Sequence, residues 1–184
     1  SARAVYFDGY APPVHPQVRG FDAGRLVEVA RELGGDTLRF QPVGYRALYP
    51  SRVFPTLDEL GGRDLIHEVS RECRRAGLHL YCYCIMAGGL DARVIRDPRY
   101  APLALRAADG EPPAVSTGYG NGRMVTMCGT GDPYRQMIRE QARELCDHDI
   151  DGIYYDAPSG YRGVCFCDSC RVGFREATGM DPYR

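Results

Sequence analysis

The sequence predicts an α/β fold built from parallel βα units. Three observations predict it. Short apolar runs alternate with amphipathic helices, the links from helix to strand are short, and those from strand to helix are long. Consecutive strand–helix units give a parallel sheet with right-handed crossovers. Long links then gather at the carboxyl ends of the strands, the edge where such folds place their sites.

Val5-Tyr6-Phe7 is a short apolar run that reads as a first strand ending at Asp8-Gly9. Asp22 can cap a helix with Leu26, Val29, Ala30 and Leu33 at helical spacing and Gly34 as its stop. Thr37 to Gln41 reads as the second strand. Asp64 opens the next helix, with Leu65, Ile66, Val69, Cys73 and Ala76 on one face and Gly77 after it. Leu78 to Ile85 is the third strand. Asp132-Pro133 predicts a helix start, a capping carboxylate followed by proline; Met137, Ile138, Ala142, Leu145 and Cys146 mark its buried stripe. Gly152 to Tyr155 is the fourth strand, and Ser169 to Ala177 the last helix. The strand-to-helix links are residues 9–20, 42–62, 86–131 and 157–168. Loops of that length in a compact domain are usually functional. The longest contains Ala114 to Met127 around Gly120-Asn121-Gly122, the pattern of a β-hairpin.

The 184 residues suit one domain, 1–184. A full barrel of βα units has eight in ~250 residues, and the sequence shows four. An open sheet with helices on both faces would also satisfy the pattern. Half a barrel completed by a partner copy, or part of a longer barrel whose remainder lies elsewhere, fits better. The net charge of −1 gives no field to gather nucleic acid or an anionic membrane. No apolar run approaches the roughly 20 residues of a membrane helix. A zinc-ribbon-like nucleic-acid binder would need a basic face, which the scattered Lys and Arg do not provide.

Eight cysteines need an explanation. Cys73 and Cys146 fall on apolar helix faces, and Cys82 and Cys84 alternate with Tyr81 and Tyr83 in a strand, so these four read as core. Such usage fits a reducing, cytoplasmic setting. Cys165-Phe166-Cys167-Asp168-Ser169-Cys170 is different. Three sulfurs within six residues cannot pair among themselves without strain, but they can converge on one metal. Cys128 is the natural fourth ligand of a closed, structural zinc site, with His148 a weaker substitute. Free thiols or a single disulfide are the competing readings. An iron–sulfur cluster uses other spacings.

Asp151-Gly152-Ile153-Tyr154-Tyr155-Asp156, followed by the three-cysteine run and Phe174-Arg175, resembles the fourth-strand segment of a group of hypothetical glycosyl hydrolases. These are barrel proteins loosely related to the fucosidase and β-galactosidase families. Cys128 with Pro133-Tyr134-Arg135, together with the same run, is similar to the zinc cluster of family 42 β-galactosidases. Asp8 after the first strand and Arg63-Asp64-Leu65 also resemble the hydrolase group. The resemblance implies a (β/α)8 TIM barrel, about half to most of it present, with its catalytic carboxylate at the end of strand four. Asp156 holds that place, where fucosidase-like enzymes carry their nucleophile. The β-galactosidases carry an Asn-Glu pair there. Tyr155-Asp156-Ala157 departs from it, so that assignment does not carry over.

Glycoside hydrolysis normally needs two carboxyl groups, one to attack or activate water and one to protonate the leaving oxygen. Asp156 is the candidate for the first; its partner is not identified. Asp8 reads as a hydroxyl-binding group. Gln41, Tyr45, Tyr83 and Tyr155 are candidate substrate contacts, since tyrosine offers sugars both an apolar face and a hydroxyl. Tyr10, Tyr119 and Tyr161 also fall in the long loops. A strand-end aspartate can instead serve the turn at Pro158-Ser159-Gly160. The expected ligand is a carbohydrate, and the competing class is a non-catalytic carbohydrate- or protein-binding module with a zinc-stapled loop.

Overall fold

The computed structural model describes residues 3–9, 18–44, 46–85, 89–116, 123–156 and 165–183. Among these the elements run β1 (Ala4–Phe7), α1 (Ala23–Glu32), β2 (Thr37–Phe40), α2 (Leu65–Ala76), β3 (His79–Ile85), β4 (Gly89–Asp91), β5 (Ala114–Ser116), β6 (Arg123–Thr126), α3 (Asp132–Cys146), β7 (Gly152–Asp156) and α4 (Asp168–Thr178). The main sheet is parallel throughout, in the order β1-β2-β3-β7. Spatial order follows chain order without the reversal that marks a doubly wound sheet.

Strand alternation gives this sheet two unlike faces. Leu38, Phe40, Leu80, Cys82 and Cys84 are buried, and Val5, Phe7, Ile153 and Tyr155 pack against the same core. The helices cover this side: α1 buries Ala23, Val27 and Ala30, and α2 buries Leu65, Ile66, Val69 and Cys73. Each large apolar side chain so buried contributes about 1.5–3 kcal/mol. The opposite, inner face carries Tyr6, Arg39, Tyr81, Tyr83 and Tyr154. Of these, Tyr6, Tyr81 and Tyr154 remain 44, 38 and 40 % exposed.

The inner side chains reveal how the sheet is sheared. In hydrogen-bond register Tyr6 stands beside Arg39, Arg39 beside Tyr81, and Tyr81 beside Gly152. Contacts run differently: the Tyr6 ring lies 4.8 Å from that of Tyr83, and the Arg39 guanidinium 4.6 Å from the Tyr154 ring centre. Each contact skips one strand and climbs two residues. A stagger of about one residue per strand amounts to eight over eight strands, the shear of a (β/α)8 barrel. The sheet is therefore of barrel type, and an open sheet with helices on both faces is set aside. Gly152 belongs to this packing, because a Cβ there would come 2.7 Å from Cε1 of Tyr81.

Local details depart from the sequence reading in four places. Asp22 and Asp64 cap α1 and α2 as expected, accepting from the Arg25 and His67 amides. On α3, however, the cap is Gly131, and Asp132 is already helical. Cys146 is exposed rather than core, since Leu145 takes the inward position at the end of α3. Leu33 is likewise exposed, at the C-cap of α1. The hairpin of β5 and β6 is present, but β6 also pairs with β4, making a three-stranded antiparallel sheet. Three-residue β4 is too short to show a period. The turn at 120–122 lies outside the described residues.

Polar side chains tie the long links to this frame. Buried Asp91, ending β4, accepts from Arg93 and from Arg46, which also reaches Asp58. Buried Glu144 on α3 accepts from the Tyr49 hydroxyl (2.9 Å), the Ser51 hydroxyl (2.6 Å) and the Arg52 amide (2.7 Å). His148 Nε2 lies 3.0 Å from Asp64 Oδ2, joining the turn after α3 to the start of α2.

The Asp64 hydrogen bond raises the pKa of His148 against the cost of burial. Burial works against the Asp64 carboxylate too, but the His148 bond prevails and its pKa falls. A raised histidine stabilises the fold fully below its unfolded value of about 6.5, and loses that contribution as pH climbs through the raised value. The lowered aspartate contributes above about 3.9 and loses its share toward acid. The pair should therefore stabilise most between about pH 4 and 6.5 and less at alkaline pH. In His148→Gln the alkaline decline should flatten, as read from urea midpoints across pH.

Candidate functional site

Asp156 ends β7 on the inner face, two residues beyond Tyr154. The Tyr83 hydroxyl donates a short hydrogen bond to its Oδ2. Tyr83 is itself held between rings, packed on Tyr6 and stacked on Tyr154 at 5.5 Å and 15°. Burial first, then the Asp156 carboxylate, raise the Tyr83 pKa, and Asp8 acts in the same direction. Tyr83 thus stays protonated and keeps donating. A carboxylate so held, above an aromatic floor and at the carboxyl edge of a barrel-type sheet, can act as nucleophile, base or hydroxyl acceptor.

The remaining expected residues fall in different places. Asp8 is exposed at the end of β1, on the inner side like Asp156. Gln41 is fully buried: its Oε1 accepts from the Tyr6 hydroxyl (2.5 Å) and the Gly9 amide (3.3 Å), and its Nε2 donates to the Val43 carbonyl (3.2 Å). Those bonds lie within the protein, so Gln41 supports the edge rather than lining it. Gly9 makes the same junction close, because a Cβ there would run into the Gln41 carbonyl oxygen. Tyr155 points the other way. It packs on the helix-covered core, and its buried hydroxyl has no hydrogen-bond partner among the described residues. Its neighbour Tyr154 occupies the inner face instead, and counting back two from Asp156 would have found it. Arg39 was also missed; a single arginine in a strand gives no distinctive signal. Tyr45, Tyr10, Tyr119, Tyr161 and the Pro158–Gly160 turn lie outside the described residues.

The second feature is the cysteine cluster. Cys128, Cys165, Cys167 and Cys170 bring their sulfurs within 4.8 Å of one another, and none forms a disulfide. Cys128 is 3.4 Å from Cys170 and 3.7 Å from Cys167 between sulfurs. Four ligands at ~2.3 Å around a tetrahedral ion need separations near those, so the donor set fits a metal. Cys165 Sγ also accepts from the amides of Arg106 (3.3 Å) and Cys167 (3.4 Å). Burial opposes ionisation of Cys128, yet hydrogen bonds from Thr130, Cys170 and Cys165 bring its pKa down to about 7. His148 takes no part, being engaged by Asp64 and the Glu144 carbonyl. The cluster joins the end of the antiparallel sheet to the start of α4, none of whose residues is buried.

No family model matches the sequence, and no curated protein does. Solved structures do. An α-L-fucosidase, isoenzyme 2, from Paenibacillus thiaminolyticus superposes on 99 % of this chain with a TM-score of 0.74 at 20 % identity. The α-N-acetylgalactosaminidase NagBb from Bifidobacterium bifidum follows over 96 % at 0.56 and 18 % identity, and the maltogenic α-amylase AmyB from Thermotoga neapolitana over 96 % at 0.54 and 12 %. The chain spans 27, 33 and 42 % of those proteins. The likeness is one of fold: the chain has the βα units of a TIM-barrel-like fold.

Gly9→Ala should cost about 1–3 kcal/mol by forcing the β1 and β2 ends apart, measured by urea unfolding. If a metal fastens α4, chelation should expose Arg171 and Arg175 to trypsin while the circular dichroism of the rest persists. Mass spectrometry of the fragments reads this directly.

Proposed function

We propose that the chain belongs to a glycoside hydrolase-type barrel that takes a carbohydrate at the Asp156 edge and carries structural zinc on Cys128, Cys165, Cys167 and Cys170. The observation that carries the reading is Asp156 itself, at the carboxyl end of the fourth parallel strand with the Tyr83 hydroxyl on one oxygen. In this reading Asp156 is the nucleophile. Tyr83, by donating to Oδ2, fixes its rotamer. Tyr6, Tyr83 and Tyr154 supply ring faces for sugar C–H groups, and Asp8 accepts from a sugar hydroxyl. Four thiolates leave zinc no open position, so the ion holds the rim and takes no part in bond cleavage.

A second reading, carbohydrate binding without turnover, is favoured by one observation. Among the described residues, Asp8 is the other carboxylate at the carboxyl end of a parallel strand, while hydrolysis needs a carboxyl pair of suitable separation. Nitrophenyl α-L-fucosides, N-acetylgalactosaminides and α-glucosides separate the two. Hydrolysis should fall about a hundredfold or more in Asp156→Asn, with zinc content unchanged at about one ion per chain. Undiminished turnover in that variant refutes Asp156. Saturable binding with no turnover in either protein establishes the second reading.

A further inference from the structure

We propose that Thr130 is a positioning residue of the metal centre, its hydroxyl donating to the Cys170 thiolate and setting how firmly the ion is held. The proposal rests on the zinc reading above and adds a residue that is not one of the four sulfurs. Thr130 Oγ1 lies 2.8 Å from Cys170 Sγ and 3.3 Å from Cys128 Sγ. A thiolate on a metal has lone pairs and no proton, so in that state the hydroxyl is the donor. Cys170 is the nearer acceptor.

The other three sulfurs are served by the backbone. Cys165 accepts from the amides of Arg106 and Cys167, Cys167 from that of Cys170, and Cys128 from that of Thr130. Among the described residues, the partner of Cys170 outside the cluster is the Thr130 hydroxyl. One sulfur of the four therefore depends on a side chain. It is also the sulfur that lies inside α4, the helix with no buried residue. The turn before α3 holds Thr130 in place, because the Gly131 amide donates to the Cys128 carbonyl at 3.1 Å. A β-branched side chain on such a turn has few rotamers to search. Thr130 is itself exposed, so packing does not require it there. Four thiolates overbalance a divalent ion, and a donor to one of them offsets the excess charge and orients the ligand.

The test compares the protein with Thr130→Val and Thr130→Ser, each loaded with zinc and titrated with a chromophoric chelator. Valine keeps the shape, removes the proton and leaves no room for a water in its place. Zinc affinity should fall about tenfold or more in Thr130→Val, and Thr130→Ser should keep most of it. In the cobalt-substituted proteins the sulfur-to-metal charge-transfer bands should move to longer wavelength in Thr130→Val alone. Thermal midpoints of the three metal-free proteins should agree, as a merely structural threonine would not allow. Should Thr130→Val not fold, Thr130→Ala takes its place against Thr130→Ser. Unchanged affinity and bands in the variant without the hydroxyl, while the parent protein holds zinc, overturn this proposal alone. An equal loss in Thr130→Ser does the same. A parent protein that binds neither zinc nor cobalt overturns the zinc reading and this proposal with it.

Discussion

Because each strand of the main sheet is displaced by about one residue from its neighbour, Tyr6 meets Tyr83 and Arg39 meets Tyr154 across an intervening strand. That stagger decides nearly everything about the inner face. It lifts Tyr83 to where its hydroxyl reaches Asp156, and it lets Tyr154 stack beneath them. It also demands Gly152, since the Tyr81 ring fills the room a side chain would take. The carboxyl edge inherits its geometry from this floor. Gln41 then locks the first two strand ends together with bonds on both sides of its amide.

The outer frame was legible because it obeys simple periods. Apolar residues three and four apart marked α1 and α2, and their aspartate caps were in place. The cysteine cluster was legible for another reason: a C-x-C-x-x-C run with a distant fourth sulfur has few physical explanations, and the four sulfurs do meet. Faces of the fourth strand were less so. Tyr154 and Tyr155 are adjacent and identical, so only the parity set by Asp156 separates inner ring from core ring. Gln41 looked available at a strand end, yet burial commits it to the protein. No local pattern announces such tertiary claims, nor the pairing of buried Glu144 with Tyr49, Ser51 and Arg52.

Two kinds of order coexist in this chain. Helices α1 and α2 rest on Ala23, Val27, Ala30, Leu65, Ile66 and Val69, a layer that water leaves of its own accord. Helix α4 has no such footing. Not one of its residues is buried, and its approach to the body runs through the sulfurs and the backbone bond from Phe166 to Arg106. Its attachment therefore depends on the state of four thiols, groups that oxidation can change, whereas a hydrocarbon layer is indifferent to it. One end of the molecule is held by solvent; the other is held by chemistry that its surroundings can change.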